Sequence, residues 1–223
     1  MNKILAGLLA LLGVSGASAQ ANTPHQIDPK TILFSTPTIS NDLAPIETLS
    51  DTPSGEIFSF HEDDWSQLEF FPKSQLPIIQ RLLSEYKSFE EQNREHYGWR
   101  SIYLRKIERV PVVSGIHAAS DLAGTLGASL ATAPVLYSTG AITGRVALGF
   151  SVPLGGNVTL YGYSTNSGIP VLGALVGENP DNQKLTQAFS VLHEKYGLFL
   201  VDWRQQLLIS GQESDGYLTV WRP

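Results

Sequence analysis

Apolar residues recur at helical spacing in two stretches of the chain. In the first stretch, Ser74 is placed to cap a helix and Pro77 falls in the first turn, where a missing N–H costs little. The apolar positions that follow are spaced three or four residues apart: Leu76, Ile79, Leu83 and Tyr86. The second stretch runs from about Asp181 to Tyr196 and is followed by Gly197. The pattern therefore predicts two principal helices.

Alternating apolar and polar positions predict strands around these helices. Residues 56–60 and 65–71 alternate on either side of four polar residues, which predicts a hairpin with its turn at His61–Asp64. A second hairpin is predicted from residues 145–152 and 157–163. Pro170 places the next strand at a sheet edge, because proline cannot donate to a ladder. Further strands are predicted at residues 99–113, 169–176, 198–209 and 216–222.

A short internal similarity links the two halves of the chain. Residues 95–107 and 194–206 share Glu, Tyr, Gly and Arg at matching positions, and in both copies a helix is predicted to end at Tyr-Gly before a strand. One interpretation is a duplicated helix–Tyr-Gly–strand unit, and the other is chance. Together the elements predict an α+β fold, with a mainly antiparallel sheet and both principal helices packed on one face.

Three parts of the chain differ in composition from the rest. Residues 1–19 combine Lys3, an apolar run too short to span a bilayer and a small-residue cleavage pattern, which predicts a signal peptide cleaved near Ala19. Residues 20–55 are rich in Pro, Ser and Thr and are expected to form an extended leader. Residues 56–223 then form a single domain, with a small-residue-rich insertion at about 114–144. The protein is therefore expected in the periplasm or secreted, with no stable membrane span after cleavage.

The composition excludes several kinds of chemistry. The chain has no cysteine, so it holds no disulfide, thiolate zinc site, iron–sulfur cluster or cysteine nucleophile. Its formal net charge is −6, and no cluster of Lys and Arg offsets that balance. Nucleic acid is therefore a poor partner, and a basic protein or a neutral ligand fits better. No Gly-Lys-Ser/Thr string indicates nucleotide binding, and we expect no cofactor.

The densest group of charges is His61, Glu62, Asp63 and Asp64, directly before Trp65. Consecutive strand residues point to alternate faces, so at most two of the four can share a metal ion, and no metal site is predicted. An acid–base pair formed by Glu62 with Asp64 or Glu69 is an alternative. The commoner role for such a turn is to stay solvated and keep a sheet edge from pairing with other chains.

A second candidate for chemistry lies in the small-residue segment. His117 and Asp121 are four residues apart, as on one helix face, and Ser114 and Ser120 are nearby. Neither serine lies in a G-x-S-x-G motif, so the indication of a hydrolase is weak.

Tryptophan and arginine are interleaved on the predicted strands, at Trp65, Trp99, Trp203 and Trp221 with Arg100, Arg105, Arg204 and Arg222. Arginine beside tryptophan is typical of interface hot spots, although packing in the core is the commoner role of a tryptophan. The residues predicted to contact a partner are His61, Glu62, Asp63, Asp64, Trp65, Trp203 and Arg204.

These features favour an exported binding or inhibitor protein that acts by contact with another, basic protein, and not an enzyme. An immunity protein that neutralises a toxin delivered to the same compartment would have this profile. One alternative is an envelope-acting hydrolase that uses His117 and Asp121 or the His61–Asp64 cluster. A second alternative is a structural protein of the envelope.

Overall fold

The computed structural model describes residues 28, 31–49, 57–139 and 141–223. Its described part has an α+β fold with mainly antiparallel sheets and three helices, which confirms the predicted fold class. The predicted signal peptide at 1–19 lies outside the described residues.

The helices are α1 (Leu76–Asn93), α2 (Ala118–Thr125) and α3 (Asn182–Tyr196). The first eight strands are β1 (Thr38–Ser40), β2 (Ile46–Glu47), β3 (Ser59–His61), β4 (Leu68–Pro72), β5 (Arg94–Glu95), β6 (Gly98–Trp99), β7 (Tyr103–Arg105) and β8 (Val113–Ser114). The remaining strands are β9 (Val135–Ser138), β10 (Ala141–Val146), β11 (Gly149–Gly155), β12 (Val158–Thr165), β13 (Gly168–Val176), β14 (Leu198–Asp202), β15 (Leu207–Gln212) and β16 (Leu218–Trp221).

The largest sheet has the strand order β11-β12-β13-β4-β14-β15-β16, with β8 paired to β13, and its pairings are antiparallel. Strand β14 lies inside this sheet and is apolar on both faces. Leu198 and Leu200 pack with Phe189 of α3, whereas Phe199 and Val201 pack with the apolar side chains of α1. The two long helices therefore cover opposite faces of the sheet, not one face as predicted, because a strand that is apolar on both sides needs cover on both.

The ends of the two long helices differ. Helix α3 has Asp181 as its N-cap, ends at Gly197 in the left-handed conformation (φ 64°), and is followed at once by β14, as predicted. Helix α1 starts without a side-chain cap, so the predicted capping by Ser74 is wrong, and the helix already ends at Asn93. Gly98 instead lies in a short β5–β6 hairpin, where a Cβ would approach Phe34 O to 2.6 Å. The helix–Tyr-Gly–strand unit is therefore present once and not duplicated.

One predicted strand pairing is wrong and one predicted strand is divided, because in both places the chain crosses between sheets at a left-handed residue. Strand β3 pairs with β9, whereas β4 belongs to the large sheet, and Ser66 (φ 58°) lies between them. Residues 145–152 divide in the same way at Leu148 (φ 52°), which is exposed. The hairpin of β11 and β12 forms as predicted, but β13 pairs on both sides and is not an edge strand.

A smaller sheet of order β2-β10-β9-β3 covers the part of the large sheet that α1 leaves open. Tyr161 pairs with Gly173, Gly173 with Glu69 and Glu69 with Val201, so Tyr161 and Val201 lie on the same face. Val201 packs in the cluster beneath α1, and Tyr161 packs in the cluster beneath the smaller sheet. A band of buried polar residues runs between these two clusters.

The segment predicted as a leader is part of the packed structure over its described residues. Strand β1 pairs with β7, β2 pairs with β10, and the side chains of Thr38 and Ser40 are buried. The predicted insertion at 114–144 contains α2, β9 and the beginning of β10. Small residues there allow close packing against neighbouring strands, and Gly144 shows this because a Cβ would lie 2.5 Å from Glu47 O.

Candidate functional site

The predicted acidic cluster forms a single tight turn at one end of the large sheet. Strand β3 ends at His61, and Glu62–Asp64 make one turn of 3₁₀ helix before the chain enters β4. We call Glu62–Asp64 the acidic turn. Inside it, Asp63 N donates to His61 Nδ1 at 3.2 Å, and Trp65 N donates to Glu62 O at 3.1 Å. Hydrogen bonds between neighbouring residues therefore close this turn, and His61 is its N-cap.

Two buried side chains hold the acidic turn from below. Gln67 donates from Nε2 to Asp63 O at 2.9 Å, and Tyr161 donates from its hydroxyl to Asp64 O at 3.2 Å. The same hydroxyl accepts from Ser66 N at 3.0 Å. Because Tyr161, Gln67 and Ser66 are buried, these bonds are shielded from water, and the backbone of the turn is fixed to the core.

Tyr161 reaches the turn because the neighbouring strand carries no side chain beneath its ring. Its ring lies over Gly173, where a Cβ would be 2.5 Å from the ring carbon Cζ. Burial also raises the pKa of Tyr161 well above its usual range, so the hydroxyl keeps its proton and can donate to Asp64 O. The position of the turn thus depends on a glycine that lies in β13.

Replacing Tyr161 with Phe should lower the free energy of unfolding by about 1–3 kcal/mol, because it leaves the buried Ser66 N–H without its acceptor. Urea denaturation measures this loss, and hydrogen exchange should be faster at the amides of the acidic turn. Tyr163→Phe on the same strand is the matched control, since the Tyr163 hydroxyl makes no hydrogen bond within the described residues. Equal effects of the two substitutions would contradict the assigned role of Tyr161.

The carboxylates of the turn have few cationic partners. Asp64 pairs with Arg204, and the Asp63 carboxylate lies 3.5 Å from His61 Nδ1. Burial raises the pKa of Asp63 above its ordinary 3.8, and the neighbouring carboxylates of Glu62 and Asp64 add to the effect, while His61 and Arg204 oppose it. Within the described residues, neither Glu62 nor Asp63 forms an ion pair with lysine or arginine. Among the described residues, the three carboxylates of the turn therefore share a single arginine, which pairs with Asp64.

The sequence Asp-Trp-x-Gln occurs twice in the chain, at Asp64–Gln67 and at Asp202–Gln205. The two copies lie side by side in the structure. Strands β4 and β14 are antiparallel neighbours, so the start of one lies beside the end of the other. Trp203 N donates to Gln67 O at 2.9 Å, and Arg204 reaches Asp64. The structure therefore brings Arg204 together with the acidic turn, as the predicted partner-binding set requires.

The two tryptophans of the predicted set are not on this surface. Trp65 is 5% exposed and packs against Phe60 and Tyr161, whereas Trp203 is fully buried beneath Arg105, whose Cζ lies 4.8 Å from the ring centroid. Both indoles fill apolar gaps beside the large sheet, so neither is available to a partner. The exposed or half-buried members of the set are the acidic turn, His61 and Arg204.

A buried ionic network supports the site, and no sequence-based prediction included it. Glu69 is fully buried on β4 and pairs with Arg109, which also donates to Asp42 at 2.7 Å. Arg105 is fully buried and donates to Gln67 Oε1 at 3.3 Å, and burial lowers the pKa of Arg105 to about 10. A charged residue inside an apolar strand, such as Glu69 between Leu68 and Phe70, was the signal present in the sequence.

His117 and Asp121, the first pair named for the hydrolase alternative, lie on a different element from the acidic turn. His117 precedes α2 and Asp121 lies in its first turn, both exposed, and the bond between them is from Asp121 N to His117 O at 3.0 Å. An open groove of about 390 Å³ lies between the end of α2, β11 and α3, and its polar side chains are Lys184 and Gln187. No histidine, acid or serine lines this groove, so its lining contains no acid–base or nucleophilic group.

The described residues contain no group of three or more His, Asp or Glu side chains arranged to hold a metal ion. No helix in this part of the chain is both long and apolar enough to cross a membrane. Comparison with protein-family models, curated proteins and solved structures finds no match to this chain.

Proposed function

We propose that this protein is an exported binding protein of the inhibitor type, which presents the acidic turn to a basic surface on another protein. The observation that carries this proposal is the fixation of the turn. Gln67 and Tyr161 hold its backbone from the core, while Glu62 and Asp63 keep no lysine or arginine partner among the described residues. A binding group that is already ordered loses little conformational entropy on association.

The environment of Asp63 supports a role outside folding. Burial and two neighbouring carboxylates raise its pKa, which means that the charged form of Asp63 lowers the stability of the folded protein. Proteins commonly tolerate such a cost where a group serves binding or catalysis. A cationic side chain from a partner would offset this cost, so a basic partner fits the turn better than a neutral one.

The overall charge supports the same kind of partner. The formal net charge of −6 would speed the encounter with a basic protein and would discourage acidic ones. The signal peptide predicted at 1–19 would place this encounter in the periplasm or outside the cell. An immunity-type inhibitor, whose acidic turn enters a basic active site, is the specific form of the proposal.

The proposal is tested by capturing the partner with the mature chain, residues 20–223, from an extract of its own cell envelope. We expect one protein at near-equal amounts, which is lost when Asp63 and Asp64 are both changed to Lys. The matched control changes Glu213 and Asp215 to Lys, because these exposed acids lie in another turn and the change in net charge is equal. Loss of the partner in both variants would show only a charge effect. Retention in both would exclude the acidic turn as the contact.

Asp63→Asn separates binding from folding. At neutral pH we expect this variant to be at least as stable as the wild type, because the folded state holds Asp63 with a raised pKa and gains from losing the charge. The difference in stability between Asp63→Asn and the wild type should vanish as the pH falls below 3.8, because Asp63 is then protonated in the folded and unfolded states alike. Affinity for the captured partner should nevertheless fall, which calorimetry measures. A clear loss of stability at neutral pH would contradict this account.

A further inference from the structure

The smaller sheet has an outer face that adjoins the acidic turn. Strand β3 pairs with β9 so that His61 lies beside Tyr137, and β9 pairs with β10 so that Tyr137 lies beside Ile142. Their neighbours Phe60 and Leu136 point into the core, so His61 and Tyr137 point outward. We call His61, Tyr137 and Ile142 the outer row.

The outer row is apolar and accessible. Tyr137 is 38% exposed and Ile142 is 49% exposed, although both are large side chains on adjacent strands. The rings of Tyr137 and His61 form a T-shaped pair, with centroids 5.5 Å apart and planes at 86°. Tyrosine in such a position offers a large contact area with few rotatable bonds, which is common at the centre of interfaces.

His61 connects the outer row to the acidic turn. Its ring packs on Tyr137, and its Nδ1 accepts from Asp63 N and lies 3.5 Å from the Asp63 carboxylate. The two surfaces are thus continuous, with an apolar strip on one side and carboxylates on the other. A complementary partner carries an apolar side chain beside a lysine or arginine.

We infer that the outer row and the acidic turn form one protein interface, and that its partner is a basic protein which places an apolar side chain on Tyr137 and Ile142 and a lysine or arginine at Asp63. This inference rests on the proposed function and names the surface and the chemistry of its partner. The apolar contact slows dissociation, whereas the charged contact speeds association and makes it depend on salt.

Site-specific photo-crosslinking in the producing cells tests this interface while the partner is still unidentified. Benzoylphenylalanine is placed in the full chain at position 137, at position 142 and at position 62, which lies in the acidic turn and leaves Asp63 in place. Position 217 is the matched control, because Tyr217 is 73% exposed and lies at the far edge of the large sheet. We expect the same protein to be crosslinked from positions 62, 137 and 142 and not from 217, through a peptide that contains lysine or arginine beside an apolar residue.

The other outcomes separate the two proposals. A crosslink from position 62 with none from 137 and 142 would overturn the outer row and leave the acidic turn as the contact. A crosslink to a second copy of this chain, or to an acidic peptide, would overturn the stated chemistry of the partner. No crosslink from any of the three positions, in cells where the protein is folded, would overturn both proposals.

Kinetics with the captured protein give an independent check. Tyr137→Ala combined with Ile142→Ala should raise the dissociation rate at least tenfold at any salt concentration. Tyr217→Ala combined with Val220→Ala is the matched control on and beside β16, where both side chains are exposed, and should leave the rate unchanged. An unchanged dissociation rate in the variant with Tyr137→Ala and Ile142→Ala would show that the outer row is not part of the interface.

Discussion

Replacing Arg105 with methionine is expected to lower the free energy of unfolding by about 3–5 kcal/mol, the usual cost of breaking a buried ionic network. Arg105 is fully buried and donates to Gln67 Oε1 and to Ser66 O, the latter at 3.1 Å. Burial lowers the pKa of Arg105 only to about 10, so the group is charged at neutral pH. Without it, the buried carboxylate of Glu69 loses one of two nearby cations.

The charge balance of the network allows a sharper test of the same prediction. Arg109 pairs with Glu69 and Asp42, and Arg105 acts on Glu69 through space, so removing Arg105 leaves the two carboxylates with one arginine. Glu69→Gln in addition should recover part of the lost stability. Urea denaturation of both single variants and the double variant measures this coupling.

Arg81→Met provides the control for the Arg105 substitution. Arg81 is an exposed arginine of α1, and its replacement should change stability by less than about 0.5 kcal/mol. An Arg105 variant as stable as this control would show that the network is not needed for the fold. Additive effects of the Arg105 and Glu69 substitutions would show that the two residues are not coupled.

Replacing Trp203 with alanine is also expected to cost about 3–5 kcal/mol, because it empties a large, fully buried site. The Trp203 and Phe71 rings meet edge-on, with centroids 6.3 Å apart. The guanidinium group of Arg105 lies over the Trp203 ring. Alanine would therefore remove the packing of the core and the platform under the buried arginine together. Trp203→Phe keeps an aromatic ring and should cost less.

Thermal or urea unfolding measures the effect of the Trp203 substitutions, and Tyr217→Ala serves as the control at an exposed aromatic residue. The result also distinguishes two roles for Trp203. If Trp203 contacted a partner, the alanine variant would lose affinity for that partner without losing stability. If Trp203 is a core residue, the variant loses stability first. A Trp203→Ala variant that is as stable as the wild type would contradict the burial seen in the structure.

Much of the secondary structure could be predicted from local patterns. The helix from Asn182 to Tyr196, its cap at Asp181 and its end at Gly197 depend on residues within one segment. The hairpin of β11 and β12 also depends on neighbouring residues. The charged turn was predicted in the same way, although its place between two sheets was not. Predictions failed where Ser66 and Leu148, which carry no glycine or asparagine signal, adopt left-handed conformations.

The candidate site could be predicted only in part. His61, the acidic turn and Arg204 were selected from composition and spacing, and the structure brings them together. Trp65 and Trp203 were selected by the same reasoning and are buried. Sequence spacing shows which residues can share a face of one strand, but it does not show whether another layer covers that face.

Sequence patterns were enough to predict the class of the fold, the long helices and most strands, and composition was enough to give the acidic balance and the absence of disulfides. These follow from periodicity and residue type, which are properties of neighbouring residues or of the whole composition. Long-range packing was needed to establish that the long helices cover opposite faces, that Tyr161 holds the acidic turn, and that Asp64 meets Arg204. Those contacts join residues up to 140 positions apart. They exist because separate apolar faces must be buried together, and that requirement acts on the whole chain and not on any one segment.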